Sequence, residues 1–389
     1  MVLRVAGYDD GSTTENEITV EAVQDVYAFQ LTTFTDTQPG EHIPIDIEPK
    51  LARRVIYEVP YVNLINSMTP EMFGRLDKDA GFLGAGAESP SGPHMGYRIW
   101  TRLEGATRFE GTGSGDFIPL GELQGNIGHL DREILLKNTV FNEYVIRGED
   151  RQVEYPDPEN YPELTVNTNR YTLGNVAIML NEEIIRVDEV EYPDLLPEDE
   201  PEDDMDMIMF VQRGSADTIP HKHYTNDVAW FYNEDIGTDF IEYAAGEDLD
   251  VKIRPWTLLG GMFPLNETPI DQIEFDSRYI RPYPPGRVEI NGGDPWFTPA
   301  TVEEGQSLYV SWTHRDRVQQ EDIYVGHQDG NIGPENNIDY RFTVRDENGD
   351  VLNEYVVNRD PEDDIPYTSW SYTLSQGLED FGYDPAVNE

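Results

Sequence analysis

Two histidines separated by a single residue have the type and spacing that metal binding could use. They lie in DTIPHKHYTND, where Asp217 and Asp227 accompany His221 and His223. On an extended strand, side chains two positions apart point to the same face, so both imidazoles could bind one ion. A turn with solvated histidines explains the segment better, because no third ligand follows at a diagnostic spacing. We expect no metal or other cofactor, and His221 and His223 stay as candidate ligands.

Carboxylates are too numerous in this chain for any pair to stand out as an acid–base couple. The 389 residues include 76 Asp and Glu, so close pairs arise by chance. The chain has no G-x-S-x-G, H-E-x-x-H or P-loop pattern, and it has no cysteine for thiol chemistry or disulfides. The glycine-rich GTGSGDF (111–117) lacks the lysine of a phosphate-binding loop. The sequence therefore predicts a protein that is not an enzyme.

Positive charge is concentrated in VSWTHRDRVQQ, at the end of an apolar strand-like run. Val310, Trp312 and His314 are expected on one face of this strand, and Arg315 and Arg317 on the other. The arginines could pair within the chain, with nearby carboxylates or with the GNIGPE turn, or they could bind an adjacent acidic subunit. We favour the intramolecular clamp. The nearby carboxylates are Asp316, Asp322 and Asp329.

The overall charge points to an unusual solvent. The chain carries 27 Lys and Arg against 76 Asp and Glu, a net charge of −49. Disorder would explain such acidity, but 22 Tyr, 15 Phe and 6 Trp indicate packed cores. In molar salt the Debye length falls to about 3 Å, so carboxylates barely repel one another, while apolar association strengthens. We therefore predict a halophilic protein.

The same acidity excludes two classes of partner. Nucleic acids and anionic membranes both require a cationic footprint, which this chain lacks. No apolar run approaches the roughly 18 residues of a membrane-spanning helix, and the N-terminal segment has no apolar core of a signal peptide. We expect a soluble protein, made in the cytoplasm, without nucleic-acid binding or membrane insertion.

The elements that must position these residues are mostly strands. Gly, Pro, Asn and Asp clusters separate the alternating or β-branched runs. Asn348-Gly349 predicts a hairpin turn. Three segments could form helices: SMTPEMFGRLDKDAG, with Thr69 as N-cap and Pro70 in the first position, LGELQGNIGHLDREILL, and residues 46–56. The predicted strands are EVPYVNLI, YRIWTRL, NEYVIRG, NEEIIRVDEV, MIMFVQRG, DVAWFY, LDVKIRP, SLYVSWT, DYRFTVRD and VLNEYVVN.

The pattern predicts a mainly β protein with several barrel or sandwich domains and few short helices. Residues 1–50 have no assignable pattern, 51–150 form a mixed α/β domain, and 151–280 form a β-barrel-like domain. The acidic, proline-containing stretch 191–207 is an extended loop of that barrel. A proline-rich connector precedes residues 285–389, which form a fibronectin-III-like sandwich.

A series of segments in one order carries a resemblance. The segments are YEVPYVNLI with DAGFLGAGAESPSG, then NEEIIRV, VQRGSADTIPHKH and DVAWFY, then YAAGEDLDVKIRP and RYIRPYPPGRVEING, and finally VSWTHRDRVQQ with GHQDGNIGPE and YRFTVRDENG. Together they resemble the C-terminal portion of the large tail-tip (hub or baseplate) proteins of long-tailed phages and gene transfer agents. The similarity covers roughly residues 55 to 382 and makes 51–150 a tail-hub-like domain.

The resemblance implies a structural virion protein. With the acidity, we expect a tail-tip or baseplate component of a tailed virus of a halophilic archaeon, assembled in the host cytoplasm and supporting host attachment. It implies a homo-oligomeric ring, with three-fold symmetry favoured, and contacts with other tail proteins and the host cell surface. The structural or interface candidates are Arg315, Arg317, Trp312, Arg281, Pro284, Pro285 and Gly286.

The chain departs from the family at three places. The enzyme-like barrel module that often precedes this region is absent, and the loop 191–207 is long. Family members usually continue with two more strands where this chain stops at Glu389. The sandwich would then be incomplete and leave an open edge, which we expect a neighbouring subunit to cover by strand addition.

Two other classes of function compete with the virion interpretation. One is a carbohydrate-binding or glycan-hydrolysing β-protein, for which Trp256 and Trp296 could be stacking platforms, whereas Trp312 and Trp370 suit core positions. A hydrolase would need a cleft with two carboxylates, one with a raised pKa. The other is a calcium-dependent adhesion module, which needs clustered acidic ligands that the sequence lacks.

Overall fold

The computed structural model describes residues 3–9, 19–24, 48–90, 92–139, 170–191, 205–231, 236–296, 306–362 and 364–382. The chain divides into two compact units, Met1–Asp46 and Ile47–Glu389. In the first unit, β1 (Leu3–Asp9) pairs antiparallel with β2 (Thr19–Gln24). This hairpin lies within residues 1–50, to which the sequence pattern assigned no fold.

The second unit contains the remaining described elements. Its helices are α1 (Tyr61–Ser67), α2 (Pro70–Phe73), α3 (Arg317–Gln320) and α4 (Leu374–Phe381), with a 3-10 turn at Arg278–Ile280. Its strands are β3 (Arg54–Glu58), β4 (Ala80–Gly81), β5 (Leu83–Ala87), β6 (His94–Leu103), β7 (Glu110–Gly115), β8 (Leu120–Leu123), β9 (Glu133–Thr139), β10 (Arg170–Leu180), β11 (Glu183–Glu191), β12 (Met205–Gln212), β13 (Val228–Phe231), β14 (Gly237–Thr238), β15 (Tyr243–Ala244), β16 (Asp248–Thr257), β17 (Gly261–Met262), β18 (Asp271–Glu274), β19 (Gly286–Ile290), β20 (Leu308–Thr313), β21 (Arg341–Arg345), β22 (Val351–Val356) and β23 (Ser369–Tyr372).

Six strands close into a barrel in the order β10-β11-β12-β9-β8-β13. Closure pairs both edges of every strand, and the inward side chains form one apolar core. That core consists of Leu123, Ile127, Ile134, Leu136, Ile178, Leu180, Ile185, Val187, Val190, Met207, Met209, Val211, Ala229 and Phe231. Strands β8 and β9 come from before residue 150, so the barrel crosses the predicted domain boundary at that point.

The same unit contains a larger sheet with the strand order β17-β16-β6-β7-β14-β5-β3. Strand β18 also pairs with β16. Strands β6 and β16 pair along their whole length, from Leu103 opposite Leu249 to His94 opposite Thr257. Tyr97, Ile99, Val251 and Ile253 are among the buried residues of its core. This sheet also joins chain segments that the sequence placed in two different domains.

The C-terminal part is a small sandwich of three and two strands, β19-β20-β23 against β21-β22. Its first, second and fifth strands form one sheet, and its third and fourth form the other. Trp312 packs on Phe342 with ring centroids 5.3 Å apart, and Phe342 stacks on Trp370 at 4.5 Å. The mainly β architecture, with a barrel and a small C-terminal sandwich, is therefore confirmed.

Some local predictions are right. Thr69 is the N-cap of α2, with its hydroxyl accepting from the Met72 amide at 3.3 Å, and Pro70 is the first helical residue. The Asn348-Gly349 turn joins β21 to β22, and Gly349 supplies the positive φ of 88°.

Other local predictions are wrong. The apolar run EVPYVNLI, expected as a strand, enters helix α1, because a short apolar run has no periodicity that separates a buried strand from a buried helix. The expected helix over LGELQGNIGHLDREILL is instead β8, a turn and β9, and its internal glycines explain the failure of the helix. Residues 48–53 contain no helix, and β3 follows them.

Three predictions fall outside the described residues, wholly or mainly: the strand NEYVIRG, the loop EYPDPENYP and most of the acidic stretch 191–207. The described ends of that stretch, Glu191 and Met205–Met207, belong to β11 and β12. No helix among the described residues is long and apolar enough to cross a membrane.

Candidate functional site

A buried carboxylate at the start of β11 is the centre of the most connected polar group in the barrel. Glu183 is fully buried. Its Oε1 accepts from Arg213 Nε at 2.9 Å and from the Gly214 amide at 2.8 Å. Its Oε2 accepts from Arg213 Nη2 at 2.8 Å and from the His221 amide at 2.9 Å, and His223 Nε2 lies 2.7 Å away. We call these five residues the barrel clamp.

The clamp is electrostatically satisfied. Burial disfavours the charged form of Glu183, but the hydrogen bonds from His223 and Arg213 outweigh it and hold the pKa of this carboxyl below its ordinary value. A carboxylate offers about four lone-pair positions, and five contacts occupy them. Arg213 also donates to the carbonyl oxygens of Gly128 and His221, each at 2.6 Å. Glu183 therefore has no capacity left to ligate a metal or take a substrate proton.

The structure separates the two candidate metal ligands. His221 is exposed, whereas His223 is 2% exposed and has Asn181 Nδ2 3.3 Å from its Nδ1. The favoured turn with solvated histidines is right for His221 but wrong for His223, which is buried. The alternative, in which both rings share one face of a strand, is not formed, because this segment makes a single bridge, between His223 and Ile127. Within the described ranges, no group of three or more His, Cys, Asp or Glu is arranged to hold a metal ion.

Arg315 joins the C-terminal part to the barrel clamp. It is 1% exposed, and it donates to the carbonyl of Gly214 at 3.0 Å and to that of Val325 at 2.7 Å. Its guanidinium carbon lies 5.3 Å from the centre of the Tyr283 ring. Burial lowers the pKa of Arg315 to about 10, so it remains charged at neutral pH. Backbone carbonyls and an aromatic face, rather than a direct carboxylate pair, hold this cation.

Arg317 makes the clamp that the sequence favoured, with a partner in the GNIGPE turn. Its Nε lies 3.0 Å from both oxygens of Glu335, and its Nη2 lies 2.8 Å from Oε1. It also donates to the carbonyl of Tyr279, and its guanidinium carbon lies 5.3 Å from the ring centre of Tyr61. One side chain therefore contacts three separate chain segments.

The expected common face of Arg315 and Arg317 does not exist. Strand β20 ends at Thr313, and Arg317 is the first residue of helix α3. Asp316, expected as an arginine partner, is instead the N-cap, accepting from the Val318 amide at 2.9 Å. Of the other nearby carboxylates, Asp329 lies 3.6 Å from Arg186 Nη2. The other face is as expected, since both Trp312 and His314 contact the Tyr340 ring.

The segment RYIRPYPPG contributes a third connection. Arg278 pairs with Asp217 through contacts of 2.6 and 3.0 Å and donates to the carbonyl of Glu58 at 2.9 Å. Arg281, a candidate from the sequence, pairs instead with Asp276 at the surface, where both side chains are largely exposed. Gly286 is required by space, because a Cβ there would lie 2.9 Å from the carbonyl oxygen of residue 327.

A second candidate site is an apolar groove in the C-terminal sandwich. It measures about 320 Å³ and has an open mouth. We call it the sandwich groove; its lining includes Pro285, Val288, Trp312, Ile338, Tyr340 and Phe342. Strand β21, which contributes Phe342, pairs with β22, and no other described strand pairs with it. Pro284 lies beside this lining in the chain and is half-buried. The groove therefore adjoins a strand edge to which no described strand is bonded.

The structure also tests two features of a glycan-active protein. Asp239 is a buried carboxyl whose pKa is raised by burial, but its nearest partner is the Tyr243 hydroxyl at 2.6 Å instead of a second carboxylate. Trp296 stacks on His129 with ring centroids 4.8 Å apart, and Trp256 has Arg98 5.9 Å from its ring centre. Both indole rings therefore already have partners within the chain.

Sequence reasoning named the segments of the barrel clamp but not its central residues. Glu183 and Arg213 are charges placed at the ends of apolar strands, in NEEIIRV and VQRG. Charged side chains are rarely fully buried unless paired, so one acid and one base in such settings were a usable signal.

Comparisons with known proteins add little to this geometry. No family model matches the chain, and no curated protein matches it. Among solved structures, the chain was aligned with the chicken CNTN1 FN1-FN3 domains over 77% of this chain and 85% of that one, at 10% identity and a TM-score of 0.13. A TM-score that low carries no argument about fold or function.

Proposed function

We propose that this chain is a structural protein of the distal tail, at the tip or baseplate, of a tailed virus of a halophilic archaeon. One observation carries the proposal: the segments that resemble tail-tip proteins contact one another through their charged residues. Glu183 of NEEIIRV binds Arg213 of VQRG, whose neighbour Gly214 accepts from Arg315 of VSWTHRDRVQQ. Arg317 of the same segment binds Glu335. These contacts brace separate chain segments.

A bracing role fits a protein that carries load. Arginine stays charged and binds carboxylates through a planar fork, so it gives rigid, directional links. Arg278 adds another link, from Asp217 in the barrel loop to Glu58 at the end of β3. A tail-tip component has to transmit force between neighbours without deforming, and such links serve that purpose.

The oligomer is the second part of the proposal. We infer that a neighbouring subunit covers the sandwich groove and the adjacent edge of β21, because an apolar groove beside a strand edge is a common site of strand addition. Repetition around the tail axis would produce a ring, with three-fold symmetry favoured. Other tail proteins and the host cell surface are the remaining proposed partners.

The predicted adaptation to molar salt can be tested independently on the purified chain. In dilute buffer the carboxylates lose their screening and repel one another, so the fold or its assembly loosens. Thermal melting and mass measurement across a salt series would follow this. Unchanged melting and unchanged mass in dilute buffer would contradict the halophilic part of the proposal.

Localisation of the chain decides the main claim. A cryo-electron reconstruction of the intact tail in high salt should place this chain in the distal density, with a neighbour against the sandwich groove. Absence of the chain from purified particles would refute a virion role. Distal density in which the edge of β21 stays free and solvated would retain the virion role and refute the subunit contact.

A further inference from the structure

The hairpin between β16 and β17 is unusually apolar for this chain. Residues 255–266, PWTLLGGMFPLN, include no charged side chain, although 26% of the chain is charged. Leu258 and Leu259 form its turn and are 73% and 77% exposed, and Met262 is 42% exposed. We call these three residues the leucine tip. Large apolar side chains exposed together on an otherwise polar surface mark a contact site.

The leucine tip is held in place by the sheet beneath it. Arg254 donates to the carbonyl of Phe263 at 2.8 Å, and Lys252 donates to that of Leu265 at 2.6 Å. The amide of Gly260 donates to the Thr257 hydroxyl at 2.9 Å, which fixes the turn. A fixed tip loses little conformational entropy on binding, so it is preorganised for a partner.

The same chain offers a surface complementary to this tip. The sandwich groove is lined mostly by apolar and aromatic side chains, with Asp339 and Arg341 as the charged members of the lining; it is open to solvent and measures about 320 Å³. Tip and groove lie on different elements of the chain, β16–β17 and the C-terminal sandwich. Two different complementary patches on one subunit give a head-to-tail contact, which closes into a ring when the rotation allows.

We propose that the leucine tip of one copy docks in the sandwich groove of the next copy. The proposal rests on the proposed function for its setting, and it identifies the segment that covers the groove there. Molar salt also favours a second copy of this chain as the partner. A net charge of −49 makes copies repel in dilute buffer, whereas molar salt screens that repulsion and strengthens apolar contact.

Another exposed apolar residue serves as the matched control. Phe240 is 72% exposed on a different loop, with Asp239 and Glu242 as close neighbours in sequence. The exposed carboxylate of Glu242 disfavours burial of this loop in an apolar groove, because the carboxylate would lose hydration. Phe240→Asp should therefore remove a similarly exposed apolar side chain without affecting the docking.

The test measures the mass of the full chain in molar salt by light scattering and sedimentation, for four samples. Wild type should form an oligomer. The tip variant Leu258→Asp/Leu259→Asp and the groove variant Ile338→Glu should each be monomeric, with self-association weakened more than tenfold. Phe240→Asp should behave as wild type. Val288→Glu replaces Ile338→Glu if the latter melts below the wild type.

Mixing the variants distinguishes a head-to-tail contact from a symmetric one. A tip variant keeps its groove and a groove variant keeps its tip, so one intact contact remains in the mixture. An equimolar mixture should form a dimer and nothing larger. A monomeric wild type, variants that still assemble, or a mixture that stays monomeric would each overturn the docking. Because these samples contain no virus, a missing tail location would refute the proposed function alone.

Discussion

The barrel with its clamp and the C-terminal sandwich differ in how they place carboxylates and apolar side chains. In the barrel, both edges of every strand are paired, and five contacts saturate the fully buried carboxylate of Glu183. In the sandwich, five short strands form two sheets, and many apolar side chains stay half exposed. Tyr309 is 47% exposed and Val356 56%. One region is closed on itself, while the other leaves apolar surface exposed to solvent.

This difference shows where an acidic chain can place its carboxylates. A buried carboxylate is stable only where donors replace the water it has lost, and the barrel loop supplies them from Arg213, His223 and two backbone amides. In the sandwich, Asp380 also accepts several hydrogen bonds, but it lies near the surface. Its donors are hydroxyl and amide groups instead of a guanidinium. The barrel should therefore respond to mutation far more strongly than the sandwich.

The largest effect is expected at the barrel clamp. Glu183→Ala leaves the buried Arg213 guanidinium without its counter-charge, so we expect a loss of about 3–5 kcal/mol in the free energy of unfolding. Denaturant unfolding in molar salt measures it. The matched control is Glu71→Ala, which breaks an exposed pair with Arg75 and should change stability by less than about 1 kcal/mol. Equal effects for the two variants would show that burial is irrelevant here.

A smaller effect is expected at Arg317, which binds Glu335 and the carbonyl of Tyr279. Arg317→Lys keeps the charge but loses the bidentate contact with Glu335 and the bond to the Tyr279 carbonyl, so we expect a loss of about 1.5–3 kcal/mol. A double-mutant cycle with Glu335→Gln should give a positive coupling energy. Additive single effects would mean that the observed pair contributes nothing to stability.

The sequence predicted best what depends on local chemistry. The N-cap at Thr69, the hairpin at Gly349 and most strands follow from propensity, capping and turn rules that act over a few residues. The intramolecular role of Arg317 also follows from charge alone, because a cation in such an acidic chain meets a carboxylate readily. Its actual partner, Glu335, depends on where a later turn folds back.

What the sequence could not predict is mostly non-local. Strand β8 closes the barrel with β13, more than 100 residues later, so the domain boundary predicted at residue 150 divided one barrel. The barrel clamp was missed for the same reason, since Glu183 and Arg213 meet only after β11 and β12 pair. His221 and His223 separate because one bridge, and not a strand, orients them. Alternation specifies faces, but it does not specify partners.

A third prediction tests how independent the sandwich hairpin is. Gly349 has a φ of 88°, and a Cβ there would meet nothing within 4 Å, so Gly349→Ala costs only backbone strain, about 1–2 kcal/mol. Hydrogen exchange should report the loss in β21 and β22 and leave the barrel strands protected. Gly125→Ala, where a Cβ also meets open space and no left-handed φ is required, is the matched control and should not destabilise. Loss of protection in the barrel would mean that the two regions unfold together.

The smallest effect is expected from acid at Asp380, where α4 meets the sandwich. Burial favours the neutral form, but hydrogen bonds from the Tyr372 hydroxyl at 2.6 Å, Asn353 at 2.7 Å and the Tyr355 hydroxyl outweigh it and lower the pKa of Asp380. A lowered folded-state pKa gives stability that is present above the ordinary Asp value and is lost as pH falls through the lowered one.

Protection of the β22, β23 and α4 amides against hydrogen exchange should therefore decrease as the solution is acidified below the ordinary pKa of Asp, at fixed high salt. In Asp380→Asn, protection of these amides should already be reduced at neutral pH. It should not decrease further on acidification, because the amide side chain cannot ionise. The barrel should keep its protection longer, since Arg213 holds Glu183 in its charged form. If the barrel opened first on acidification, the closed region would be the weaker one, and the contrast between the two regions would be reversed.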